Sequence, residues 1–143
     1  MKRPPGLPDD EHLQVPYQRT FDRAIGLEWE PIVDGDVRAS LAVEDRLRSP
    51  LGTVHGGVFA ATAEAVASLG AALEVPEDSM AVGLSNDTTV LRQVRAGRIR
   101  MRARALRGEM PDRTVWQVEA LDDDGELCAA SVVIMASVAR RSG

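Results

Sequence analysis

A chain of 143 residues is long enough for one domain with a core of its own. It carries 22 acidic against 17 basic side chains, a net charge of −5, and only two Trp, two Phe and one Tyr. That charge argues against generic nucleic-acid binding, and so few rings leave little for base stacking. Cys128 is the single cysteine and cannot close a disulfide within the chain. No signal peptide or membrane span is visible, so a cytoplasmic protein is the expectation. His12 and His55 are the only histidines and no Cys/His cluster accompanies them, so no metal site is expected.

Residues 1–22 hold Pro4, Pro5, Pro8 and Pro16 among charges and read as a lead-in to a domain over 23–143. Asp9 or Asp10 is placed to cap a short helix starting near Glu11, which Pro16 limits. Tyr17 and Phe21 are the residues expected to dock this segment on the domain. Residues 25–33 read as a strand, with Pro31 suggesting an edge position or a bulge. Asp34-Gly35 signals a tight hairpin turn. Val37, Ala39, Leu41 and Val43 then alternate with Arg38 and Ser40, the pattern of a half-buried strand.

A loop over 44–54 leads into the most unusual stretch. Residues 58–73 are rich in alanine, free of proline and apolar around nearly the whole circumference, which predicts a helix enclosed by other structure. Its one charge is Glu64. Burying an unpaired carboxylate costs several kcal/mol, about 3–5, so this acid needs either an arginine partner or a function. Gly56-Gly57 at the helix entry is either a glycine-tolerant turn or an exposed set of N–H donors at the positive end of the helix dipole. At 1.5 Å per residue, Gly56 and Glu64 stand about 12 Å apart along the axis. One carbonyl cannot touch both in one chain. Cooperation requires two copies of the helix, antiparallel across a two-fold axis, each site taking its donor from one subunit and its acid from the other. Ser68 lies one turn beyond Glu64 on the same face and is placed to orient it.

Beyond the turn at 76–79, strands are expected over 80–91, 98–105, 114–121 and 127–139. In 98–105 arginine occupies every second position, either as a solvated face paired with acids or as a set of anion ligands. Arg107-Gly108 ends that strand, Asp122 to Gly125 make an acidic turn, and Arg140 to Gly143 read as a frayed end. Strand, strand, long helix, then several antiparallel strands is an α+β pattern with one helix on one sheet.

The run Gly52-Thr53-Val54-His55-Gly56-Gly57 followed by Glu64 resembles the signature of hotdog-fold acyl-CoA thioesterases. It is similar to the phenylacetate-pathway group, and closest to members with a Glu, as in 4-hydroxybenzoyl-CoA thioesterases. Leu91 to Arg98 resembles a second segment of that superfamily, and the resemblance covers roughly residues 24–139. It implies a hotdog fold, an antiparallel sheet wrapped around one long central helix. It implies hydrolysis of an acyl-CoA or aroyl-CoA thioester by a homodimer or a dimer of dimers, with no cofactor beyond the CoA of the substrate. By that likeness the Gly56 N–H polarises the carbonyl and Glu64 acts as general base or nucleophile. His55 supports the loop or the substrate, and Ser49 stands where relatives carry Asn or Gln facing the thioester. Gly57, Val58 and Phe59 line the acyl pocket with the partner subunit, and Arg92, Arg95 and Arg98 are candidates for the CoA phosphates. Ser49 and Gln93, the latter where Pro is common, depart from the pattern, and Gly83 sits near a position that bears a catalytic Ser in some relatives. These departures motivate a second reading, a non-catalytic acyl-CoA binding module on the same fold. A hydratase is a third, resting on His55 alone.

Overall fold

The computed structural model describes residues 4–7, 9–106 and 112–140. The elements in chain order are α1 (Phe21–Ala24), β1 (Glu28–Trp29), β2 (Val37–Ala42), α2 (Gly56–Ala72), β3 (Ser79–Val90), β4 (Arg98–Leu106), β5 (Arg113–Leu121) and β6 (Leu127–Ala139). The strands form one antiparallel sheet in the order β1-β2-β4-β5-β6-β3. The connection from Val33 to Asp36 is the tight turn expected of Asp34-Gly35. Both central residues have positive φ, 54° and 80°, the requirement of a hairpin whose twist matches its strands.

The alternation read in the strands fixes which face meets α2. Val37, Ala39 and Leu41 of β2, Ile99, Met101 and Ala103 of β4, and Trp116, Val118 and Ala120 of β5 are all nearly inaccessible. The sheet curls so that these side chains close on Phe59, Ala63, Val66, Ala67 and Ala71 of the helix. Gly70 allows the closest approach, since a Cβ there would overlap the six-membered ring of Trp116. Cys128 fills the core, its thiol bonded to the Ala120 carbonyl at 3.1 Å and its pKa pushed up by burial.

The opposite face of β4 carries Arg98, Arg100, Arg102 and Arg104, all paired with acids: Arg98 with Glu28 at 2.9 Å, Arg100 with Asp123 at 3.0 Å, and Arg102 and Arg104 with Asp36 at 2.6 and 3.1 Å. Asp36 is buried, and the Arg104 hydrogen bond, with that of Arg102, holds its carboxyl below the usual range. The arginine stripe is therefore a solvated, acid-paired strand face.

Four expectations are corrected. First, α2 starts two residues earlier, at Gly56, and one flank of it is uncovered in the single chain: Gly56, Gly57, Glu64 and Ala72 are exposed, Gly56 and Glu64 along the border with β3. A helix of alanines is apolar in every direction, so its sequence does not mark which side is covered. Second, the strand expected over 25–33 shrinks to Glu28–Trp29, because residues 25–27 complete a turn in which Leu27 N–H donates to the Asp22 carbonyl. Third, the lead-in holds a 3-10 turn, Asp10–His12, without a side-chain cap from Asp9. Tyr17 docks it, buried and accepting from Trp29 Nε1–H at 2.9 Å, whereas Phe21 is 63% exposed. Fourth, Arg140 is held rather than frayed, its backbone N–H donating to Asp78 and its Nε to Ser79. Arg107-Gly108 and residues 141–143 lie outside the described residues. No helix among the described residues is long and apolar enough to cross a membrane.

Candidate active site

The loop before α2 is pinned from both sides. Val54 N–H donates to the Val94 carbonyl at 2.8 Å and His55 N–H to the Leu47 carbonyl at 2.9 Å. His55 is the N-cap, with extended backbone, and its Nδ1 accepts from Gly57 N–H at 2.9 Å. That contact fixes the neutral ring's proton on Nε2. Val58 N–H is taken by the His55 carbonyl at 2.9 Å. The Gly56 N–H alone of these three makes no hydrogen bond among the described residues, and it sits exposed at the positive end of a 17-residue helix.

Two turns further on, Glu64 faces a cavity of about 540 Å³. Its helix wall is Ala61, Ala65, Ser68, Leu69 and Ala72, and Ala81 of β3 closes one side. The other wall comes from the N-terminal segment: Pro4, Leu7, Phe21, Asp22 and Trp29. Glu64 has no ion pair among the described residues, so the reading of a structural acid matched to an arginine is not what the chain displays. Its carboxylate instead lies against the bare Cα of Gly83. Asn86 ties the same strand to the helix by donating to the Ala60 carbonyl at 2.8 Å. A second cavity, about 390 Å³, opens at the helix start, lined by Phe21, Ile25, Arg46, Leu47, Arg48, His55, Gly57 and Val58.

The structure thus places His55, Gly57 and Val58 at the smaller cavity, with Gly56 exposed beside them at the helix start, and Glu64 with Ser68 at the larger one. The Ser68 hydroxyl points to Met135 Sδ at 3.9 Å and makes no bond to Glu64. Ser49 stays within its own loop, against Thr53 Oγ1 at 3.3 Å and Leu51 N–H at 3.2 Å. Phe59 packs in the core of this chain rather than in either of the two cavities beside α2. It is 1% exposed, because one residue's rotation from Val58 turns it onto the sheet. Arg92 lies 3.8 Å from Asp122 and 3.9 Å from Glu126, and Arg95 donates to the Leu51 carbonyl at 3.2 Å. Arg98 is on the far face of the sheet from α2, bonded to Glu28 and Ser40, as alternation with buried Ile99 dictates.

Sequence reasoning missed the N-terminal wall and Arg46 and Arg48. No local pattern marks them, because each meets α2 only through the fold. Asp22 is the chemically notable member: desolvation pushes its carboxyl above the ordinary value, beside the cavity that holds Glu64.

One long helix in a curled antiparallel sheet, with a cleft along its open side, defines a hotdog-fold protein. Residues 51–129 match the model of the thioesterase superfamily, and the chain belongs to that family, a family of thioester hydrolases. It is 32% identical over 108 residues to a 1,4-dihydroxy-2-naphthoyl-CoA hydrolase of Escherichia coli, covering 75% of this chain and 78% of that protein. The structure of a mutant thioesterase from Pseudomonas aeruginosa superposes with a TM-score of 0.83 at 30% identity, over 93% of this chain and 96% of the other. A thioesterase from Haemophilus influenzae superposes with a TM-score of 0.80 at 28% identity, over 85% and 84%.

Proposed function

We propose that this protein hydrolyses an acyl-CoA or aroyl-CoA thioester to the free acid and CoA, in the manner of the phenylacetate-pathway and 4-hydroxybenzoyl-CoA group. The supporting observation is a pair of groups with no partner among the described residues: the Gly56 N–H at the helix start and the Glu64 carboxylate over Gly83. Their separation along one helix, about 12 Å, makes the reacting site a joint property of two copies. The long edge strand β3 supports that assembly. It leaves Met80, Leu84 and Val90 47%, 54% and 45% exposed beside an unpaired strand edge. A dimer of dimers is the further step of the same reading.

In the joint site the Gly56 N–H of one subunit donates to the thioester oxygen, and the donor strengthens as negative charge grows there. Glu64 of the other takes a proton from water as the water oxygen bonds to the carbonyl carbon. Collapse of the oxyanion breaks the C–S bond, and the CoA thiolate recovers the proton from Glu64. In the nucleophilic variant, Glu64 itself bonds to the carbon, CoA thiolate leaves, and water opens the anhydride. Neither route draws on a cofactor, CoA being part of the substrate.

The test is release of CoA from a panel of acyl- and aroyl-CoAs, followed with a thiol-trapping dye. Glu64→Ala is expected to lower kcat by about 10²–10⁴-fold, the range of a lost general base. A variant that keeps the wild-type rate overturns the proposal. A single turnover in ¹⁸O-water places label in Glu64 only if the anhydride forms.

A further inference from the structure

Along the side of α2 that faces away from the sheet, Gly57, Val58, Ala61, Ala65 and Ala72 recur at helical spacing. The two cavities open on this one stripe. The larger runs from Ala61 to Ala72, about 16 Å along the axis, and the smaller occupies the turn before it. Nothing on the helix divides them, since the residues at the junction, Val58 and Ala61, are small or of moderate size. Among the described residues, the one that lines both is Phe21.

Phe21 has the character of a partition. Its ring is 63% exposed although it is the first residue of α1. Its base is held: the preceding Thr20 hydroxyl donates to the Tyr17 carbonyl at 2.7 Å, and Tyr17 is buried and bonded to Trp29. Phe21 thus stands where the Glu64 cavity and the helix-start cavity meet, the place from which a side chain can divide them. It also lies outside residues 51–129, the span matched by the family model.

We propose that Phe21 sets the size of the acyl group this protein accepts, confining it to the cavity beside Glu64 and favouring a compact aromatic acyl group over a long linear one. With the ring removed, the two cavities become one groove from His55 to Ala72, and a linear chain gains room to lie along α2. Each added methylene that finds apolar cover raises discrimination measurably, so the effect accumulates along a chain. This inference rests on the thioesterase reading for its substrate class.

The experiment compares benzoyl-CoA with dodecanoyl-CoA in the wild type, Phe21→Ala, Phe21→Leu and Phe21→Trp. Phe21→Ala is expected to raise the dodecanoyl-to-benzoyl ratio of kcat/KM at least tenfold, chiefly through a lower KM for dodecanoyl-CoA. Phe21→Leu is expected to fall between, and Phe21→Trp to keep the ratio at or below the wild-type value. Thermal melts identify a variant that has lost its fold, in which case Phe21→Leu decides. A folded variant whose ratio stays within twofold of wild type overturns the inference. Dissociation constants for the same two thioesters give the ratio without turnover, so binding without hydrolysis defeats the hydrolytic reading and still tests Phe21. A wild type that neither binds nor cleaves either thioester defeats both.

Discussion

Glu64 lies against Gly83: a Cβ built on that glycine would stand 3.0 Å from Oε1 and 3.6 Å from Cδ of the carboxyl group. Gly83 is paired with Met135 in the sheet, beside the irregularity that falls between Gly83 and Ser85, so the strand has little freedom to retreat. The side chain missing from β3 is what leaves space for the acid on α2.

Gly83→Val therefore displaces the carboxylate while leaving the core intact. The expected outcome is a fall in kcat of about tenfold or more, equivalent to about 1.4 kcal/mol of barrier, with a circular dichroism spectrum like that of wild type. Steady-state rates on any hydrolysed thioester check it. An unchanged kcat shows that the strand does not position Glu64.

The outer strand β3 offers a second test, of the two-copy site. Leu84 is more than half exposed beside the unpaired edge, and a lysine there adds a charge at the place where a second copy would pair. Leu84→Lys is expected to run as a monomer in light scattering and to lose at least 100-fold in kcat/KM. A variant that remains an oligomer with full activity removes β3 from the assembly.

Asp36 provides a pH-dependent prediction. Its side chain is 4% exposed, and the hydrogen bonds from Arg104 and Arg102 hold its carboxyl below the ordinary aspartate range. A carboxyl group with a depressed folded pKa stabilises the fold fully above its unfolded pKa, and that contribution is lost as pH falls through the folded value. Because Arg102 and Arg104 are themselves 39% and 59% exposed, solvent screening limits the contribution. Asp36→Asn is expected to cost about 1–2 kcal/mol at pH 7. In urea melts the gap to wild type should be constant between pH 5 and 8 and narrow below about pH 4. A gap that persists undiminished to pH 2 assigns the loss to packing rather than charge.

Much of this architecture follows from the chain read locally. Asp34-Gly35 specifies its turn because both residues tolerate positive φ. The strict alternation of Arg98 to Ala105 sorts one strand into an inner and an outer face, and the limits of β6 coincide with a long, mainly apolar run broken only by Ser131 and Ser137. Gly56-Gly57 and the lone Glu64 mark the candidate site because chemistry at a helix start, and an isolated acid among alanines, are properties of neighbouring residues. What the sequence could not determine depends on approach between distant segments. Which side of an alanine-rich helix stays bare is decided by the curl of the sheet, and that placed Phe59 inside and Glu64 outside. Phe21, Asp22 and Trp29 meet the helix some forty residues away, through docking of Tyr17, and no periodicity records such a meeting. Local patterns set the elements because hydrogen bonding and side-chain direction repeat along the backbone; the cavity was left to tertiary packing, where small residues fit in more than one orientation.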